Sequence, residues 1–398
     1  MSRRPVDLLV LGAGVLGAAL AYHLAQRSVG SVAVYDPRPA GAGASGRAAG
    51  IVSLQLWSRW DVDVVRASAD AYARRAGRDP TIGFRRNGFV RIASSPDSEA
   101  ALAAAYERWT EWGVRCRRVA PADLGSVAPS VRPDGVRLAI YSPDDAVVTP
   151  SALVDSYLAE AERLGVELLV GRPGEIARSA ERFELVRSGE EPRRARAVAV
   201  AAGAWSKRLL ATLGAPLPLA PYRTQAALLS PRPPVPEATA SIHDLDQDVY
   251  ARPEAAGRLL AGDGTDRVEC DPDGVAPGSD PEFLAHLARS FGERCPPWAS
   301  AELVRSWAGV CTATPDRRPI VGEVVPGLYV LTGFNGFGVM RADGAAARLV
   351  DVIAANGRPS SSEEAALAPV APGRFPPSFP PFAPKPGFTV EPGDVARF

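Results

Sequence analysis

Histidine, cysteine and lysine are all scarce in this chain of 398 residues, and each shortage narrows the range of functions. Only His23, His243 and His286 are histidines, and Cys116, Cys270, Cys295 and Cys311 are widely spaced with no CxxC pair. That leaves no spacing suited to a metal or an iron–sulfur cluster. The formal net charge is zero and no basic run stands out, so nucleic acid is not an expected partner. No apolar run reaches membrane-spanning length, because Gly, Arg or Asp interrupts each one. The first strand-like run begins close to Met1, leaving no room for a signal peptide, and a cytoplasmic protein is expected. Lys207 and Lys385 are the only lysines, so a lysine-dependent role has few candidates. What remains is ordinary for a globular protein, 46% hydrophobic and 23% charged, and long enough for two domains sharing a ligand cleft.

The most informative segment comes first. VDLLVLGAGVLGAALAYHLAQ, from Val6, is followed by SVAVYD, which ends at Asp36. An apolar strand leads into Gly12, Gly14 and Gly17 in a GxGxxG arrangement, and a helical pattern continues from Ala18. The first glycine permits the tight turn, the second admits a pyrophosphate, and the third lets helix and strand pack closely. Free N–H groups at the helix start would hold the diphosphate. Asp36 lies 19 residues beyond Gly17, where a carboxylate accepts hydrogen bonds from a ribose. Adenine-dinucleotide binding follows; the segment leaves NAD and FAD open.

Further along, PRPAGAGASGRAAGIVS is too small-sided to build a core and suits backbone laid against a large flat ligand. Alternating patterns mark strands at GFRRNGFVRIA, YRTQAALLS, DVYARPE and GRLLAGDG. Helices are expected from Glu99 to Gly113 and from Ser151 to Gly165, with a strand–turn–helix unit from Arg194. The expected fold is α/β: a discontinuous Rossmann-like cofactor domain (1–56, 140–220 and 303–357) and a substrate domain (57–139 and 221–302) on a largely antiparallel sheet. Residues 358–398 form a Pro-rich tail expected to be irregular. Its regularly spaced Phe residues suit docking on its own surface or on a neighbouring subunit.

GLYVLTGFNGFGVMRADG, from Gly327, repeats the strand–glycine–helix logic late in the chain. A second helix start aimed into the same site would stabilise negative charge on a reduced flavin. Nicotinamide develops no such anion, so a nicotinamide dehydrogenase leaves this segment without a purpose. With GASGRAAG from Gly43, AVAAGAW from Ala197 and WAGVCTATPDRRPIVG from Trp307, the chain resembles the FAD-dependent D-amino-acid oxidase, glycine oxidase and sarcosine oxidase superfamily. Its nearest likeness is to the sarcosine oxidase β-subunit and dye-linked proline dehydrogenase branch. The resemblance covers roughly residues 5–356.

The resemblance implies FAD contacts from Gly12, Gly14, Val15, Leu16 and Gly17, and from Asp36, Pro37 and Arg38. Ala44, Ser45, Arg47, Ala49, Gly50 and Ile51 would continue the site, with Ser45 and Arg47 by the diphosphate and Gly50 and Ile51 near the flavin ring. Ala202, Gly203, Trp205 and Gly309 follow. Gly333, Asn335, Gly336, Phe337, Gly338 and Val339 complete it, the last four facing the pyrimidine edge. Ala48 replaces a histidine that carries flavin covalently in some relatives, and Cys311 is two residues from the corresponding cysteine linkage, so the FAD is expected to be noncovalent. Cys311 itself takes the place of a carboxylate-binding arginine. Leu260 stands where sarcosine oxidases carry an oxygen-activating lysine, and Met340 where they carry a carboxylate-binding one. Neither Lys207 nor Lys385 suits the oxygen-activating role.

For the substrate carboxylate the best candidate is Arg252, two residues after Tyr250 and on the same sheet face by alternation. Arg223 and Arg59 are alternatives, and Tyr250 could bind the same carboxylate; His243 could be a base or a surface residue. The expected activity is oxidation of the C–N bond of sarcosine, proline, glycine or a D-amino acid to an imine, with hydride passing to flavin. A dye, quinone or partner protein is favoured over oxygen as acceptor, which makes a dehydrogenase the leading reading. The alternative is an FAD-carrying subunit of a hetero-oligomeric amine dehydrogenase with little activity alone. A homo- or hetero-oligomer is compatible with either.

Overall fold

The computed structural model describes residues 4–179, 182–263, 268–355 and 360–376. Two eight-stranded sheets organise the chain. In the first, the strands Val6–Leu11, Val32–Asp36, Glu167–Val170, Arg193–Val200 and Leu328–Thr332 run parallel. Their apolar runs are buried, as a sheet covered on both faces requires. Ile320–Val325 pairs antiparallel at one edge. Phe183–Val186 and Glu175–Arg178 branch off Arg193–Val200.

The second sheet runs in the order Glu302–Ala313, Ala220–Ser230, Arg258–Asp263, Val249–Glu254, Ser241–Asp244, Phe89–Ala93, Leu138–Ser142 and Arg117–Val119. It is antiparallel except where Ser241–Asp244 meets Phe89–Ala93. Two segments therefore lie apart from where the sequence pattern puts them. Residues 303–313, expected with the cofactor-binding portion, pair along nearly the full length of Ala220–Ser230. The helix Arg59–Ala76, expected with the substrate portion, packs on the helix Gly338–Ala354 beside the first sheet. Hydrophobic alternation reports burial of a face, and it is silent on which sheet buries it.

Three helices layer on the first sheet: Val15–Gln26, Pro150–Arg163 and Gly338–Ala354. Alanine makes the packing close; Ala18, Ala19 and Ala21 of the first helix and Ala342, Ala345 and Ala346 of the last are all fully buried in one core. The last helix is also tied by polar contacts. Arg341, fully enclosed, pairs with Asp61 at 2.9 Å. Tyr72 donates to the Val339 carbonyl at 2.6 Å. Asp343 accepts from Tyr157 and lies 3.0 Å from the His23 ring nitrogen. These contacts fix both the rotation of the helix and the position of its first turn.

Past the last long helix, residues expected to be irregular form the helix Ser361–Leu367 and two short turns, with Val370 buried. Pro372 abuts Gly322 of the edge strand, and Arg374 pairs with Asp316 at 2.7 Å. The remainder of the Pro-rich tail, with Lys385, lies outside the described residues. Among the described residues, no helix is long and apolar enough to cross a membrane.

Gly344 supplies a test of this packing. A Cβ there would stand 2.3 Å from the Val64 carbonyl oxygen, against backbone that cannot rotate away. Gly344→Ala should cost about 1–3 kcal/mol, read as a lower Tm, whereas Gly373→Ala, with nothing within 4 Å of its Cβ, should leave Tm unchanged. Equal Tm values for the two variants would refute the close crossing.

Candidate cofactor and substrate site

One cavity receives both glycine-rich helix starts. At the first, Gly12 has φ +113°, and a Cβ on it would lie 2.5 Å from the Ala201 oxygen. Gly17 is packed harder still, its missing Cβ only 1.9 Å from the Gly12 oxygen. Gly14 differs: a Cβ there would meet only the Ser45 hydroxyl at 3.1 Å, so the bare backbone faces open space. Ser45 Oγ accepts from the Val15 N–H at 2.9 Å, at the positive end of the helix. The Asp36 carboxylate accepts from the Ala13 and Arg38 N–H groups, at 3.1 and 3.0 Å, which holds the turn. Arg38 stacks 3.6 Å over the Trp205 ring, joining two segments far apart in sequence at one end of the cavity.

The second helix start presents Gly336, Phe337, Gly338 and Val339 to the same cavity. Asn335 holds this turn. Its Oδ1 accepts from the Thr314 N–H at 3.0 Å, and its Nδ2 donates to the Gly333 oxygen at 2.6 Å. Expected as a cofactor contact, its side chain is thus committed to protein, and its part is to shape the loop. No acidic residue occupies the first turn of the helix, so its positive end is not neutralised locally.

The remaining wall is the second sheet. Tyr222, Thr224 and Ala226 alternate along one strand, Gly309 and Cys311 along its neighbour, and Phe89 and Arg91 along a third. His243, Asp248 and Tyr250 join them. Tyr250 crosses Gly262, whose Cβ would come within 2.3 Å of the phenol oxygen. Apart from Gly309, Cys311, His243 and Tyr250, these wall residues escape the sequence reading, although their period-two spacing is visible there. Asp145 lies behind the wall, accepting from Ser53 Oγ at 2.6 Å and the Leu54 N–H at 3.0 Å. Burial pushes its carboxyl up to about 7.

Of the expected cofactor contacts, all but Gly17 and Pro37 line the cavity. Gly17 serves packing, and Pro37 stands outside. The arginines expected to bind a substrate carboxylate are engaged elsewhere. Arg252 donates to the Ala49 carbonyl and pairs with Glu254 at 2.7 Å, one row beyond Tyr250 and off the cavity wall. Its face is as alternation predicts, but its reach is spent on the loop opposite. Arg223 pairs with Asp280, and Arg59 with Asp63. Lys207 pairs with Glu269; Leu260 registers opposite Arg252 rather than in the cavity wall, whereas Met340 and Cys311 lie in it. No cluster of His, Cys, Asp or Glu among the described residues could hold a metal ion.

The chain belongs to the FAD dependent oxidoreductase family, whose pattern spans residues 7–352, and is thus a flavin-dependent redox enzyme. It is 27% identical over 349 residues to glycine oxidase of Geobacillus kaustophilus, covering 84% of this chain and 89% of that protein. It is 28% identical to 4-methylaminobutanoate oxidase (formaldehyde-forming) of Paenarthrobacter nicotinovorans, covering 87% of this chain but only 43% of that longer protein. In fold it matches L-proline dehydrogenase from P. horikoshii with TM-score 0.81 at 21% identity, over 92% of this chain and 96% of that one. The residues present fit an FAD: two helix starts open into one cavity, and at Gly14 and Gly203 the backbone is uncovered toward it.

Two tests follow. Gly14→Val should fold with near-normal Tm but bind FAD at least about tenfold more weakly, about 1.4 kcal/mol, seen by flavin absorbance after gel filtration. Gly17→Ala should instead lower the Tm of the apoprotein; reversal of the two outcomes would refute the division of labour between these glycines.

For Asp145, the folded pKa of about 7 lies above the ordinary 3.8, so the group's stabilising effect is complete below about pH 4 and lost as pH rises through about 7. The stability of the natural protein relative to Asp145→Asn should therefore fall with rising pH in denaturant titrations. Parallel pH profiles would contradict the buried, protonated carboxyl.

Proposed function

We propose that this enzyme oxidises the C–N bond of a small amino acid or N-methyl amino acid, with sarcosine, proline, glycine and D-amino acids as the candidate substrates. The observation that carries this reading is the convergence of the Gly14 and Gly338 helix starts on one cavity whose other wall is a sheet face bearing Tyr250. When bound, FAD supplies the two-electron acceptor: hydride leaves the carbon beside a neutral amine, and the nitrogen lone pair closes the C=N bond of an imine that water then hydrolyses. The helix start at Gly338 offers N–H groups and a positive dipole end that would stabilise the negative charge a bound flavin gains on reduction. Ala226, Phe89 and the Tyr250 ring give the sheet wall an apolar surface that excludes water from the reacting carbon. No strong base is needed once the amine is neutral.

A dehydrogenase is favoured over an oxidase, with a dye, quinone or partner protein as acceptor. Among the described residues no lysine lines the cavity, and Lys207 is tied to Glu269. An electron-transfer subunit of a larger amine dehydrogenase, with little activity alone, is the alternative. A noncovalent FAD and a cytoplasmic setting belong to the same proposal; Cys116, Cys270 and Cys295 form no disulfide.

The holoenzyme mixed anaerobically with sarcosine, L-proline, glycine or D-alanine should lose its visible flavin absorption with at least one of them. Colour should return faster with an artificial dye than with air. A flavin that stays oxidised with every amino acid and amine tried would overturn the reading.

A further inference from the structure

Register places Arg91, His243, Tyr250, Gly262, Ala226 and Trp307 opposite one another on successive strands, a single row across the second sheet. All of these but Gly262 line the cavity. At the Trp307 end, the indole N–H donates to the Arg47 carbonyl at 3.0 Å, so this end of the row lies by the 45–47 turn that meets the first helix start. Arg91 occupies the opposite end.

Arg91 is 7% exposed, and both of its named hydrogen-bond partners are uncharged acceptors. One terminal nitrogen donates to His243 Nδ1 at 2.7 Å and the other to the Gln55 carbonyl at 3.1 Å, while Nε, also buried, has no partner. No carboxylate among the described residues comes within 4.0 Å of it, in contrast to Arg252, Arg223 and Arg341, each with an acid beside it. Burial holds its guanidinium below the ordinary arginine range, to about 10. The nearest acid in its field, Asp145, is itself pushed toward neutrality. Burial also lowers His243, so the imidazole is neutral and free to accept at Nδ1, with Nε2 turned to Asp248 at 3.8 Å. A buried cation held between neutral acceptors costs stability unless an anion completes it. Arg91 lies on the sheet face that lines the cavity.

We propose that Arg91 is the carboxylate anchor of this site, with His243 as the residue that positions it, so that the enzyme selects amines bearing a carboxylate over plain amines. The claim rests on the amine-oxidising reading for the identity of the ligand, and on Arg91 alone for its charge. A guanidinium offers a carboxylate two parallel donors, and an ammonium only a point charge.

The test uses the FAD-loaded enzyme titrated with acetate, propionate and benzoate, and with the corresponding neutral amides, followed by flavin difference spectra and calorimetry. The natural protein should bind at least one carboxylate and discriminate against its amide. Arg91→Met should retain FAD, match or exceed the natural Tm, and lose carboxylate affinity at least about tenfold; Arg91→Lys should recover part of it. In turnover, Arg91→Met should raise KM for the amino acid far more than for its decarboxylated amine. Carboxylate binding that is absent in the natural protein, or unchanged in both variants, overturns the anchor. An enzyme that oxidises no amine yet binds carboxylates through Arg91 would sink the proposed reaction and leave the anchor standing.

Discussion

The position of one helix governs this molecule. Gly338–Ala354 must direct its first turn at the cavity that also receives Val15–Gln26, and little in its own sequence enforces that aim. The enforcement comes from its neighbours. Gly344 allows the backbone of Arg59–Ala76 to approach closely, and the enclosed Arg341–Asp61 pair admits one rotation of the helix. Such a pair need contribute little net stability, because desolvation offsets attraction. Its value is geometric: other rotations leave two charges buried and apart. Tyr72, bonded to the Val339 carbonyl, applies the same constraint at the site itself.

Glycines in the site divide into those that let protein touch protein and those that leave room for something else. Gly12 and Gly17 belong to the first kind, since their absent side chains would strike backbone. Gly14 and Gly203 belong to the second. The GxGxxG spacing already separates Gly12, Gly14 and Gly17 by role. The distinction explains why the GxGxxG pattern is so informative when followed by a helix and an acid: closed and open glycines are both required, in that order, to bring a helix start against a large anion.

The central parallel strands, both glycine-rich helix starts and the alternating strands of the second sheet are legible in the sequence because each is a local pattern. What escapes it is relational. Residues 303–313 fall in the last stretch assigned to the cofactor portion, yet nothing in them tells which sheet will take them. Alternation puts Tyr250 and Arg252 on one face, but it does not say where along the strand the cavity ends, and Arg252 falls past that limit on the Ala49 loop. Asn335 sits in a glycine-rich turn as a ligand contact would, and spends its side chain on Thr314 and Gly333. Arg91 is hidden for the opposite reason. In GFVRIA it is one more charged residue on a strand, and only the sheet register puts it in line with His243 and Tyr250.

The segment 360–376 has a consequence for the edge of the first sheet. Ile320–Val325 is an outermost strand, with one side of its backbone unclaimed by any other strand of its sheet. An uncovered strand of that kind is a template for a stray chain. Pro372 lies over Gly322, and Arg374 reaches Asp316 and the Arg318 carbonyl just before the strand begins. A proline has no N–H with which to extend the ladder itself. The clasp thus ties the stretch after the last long helix to the border strand, and a chain ending before Pro372 would leave the face at Gly322 bare.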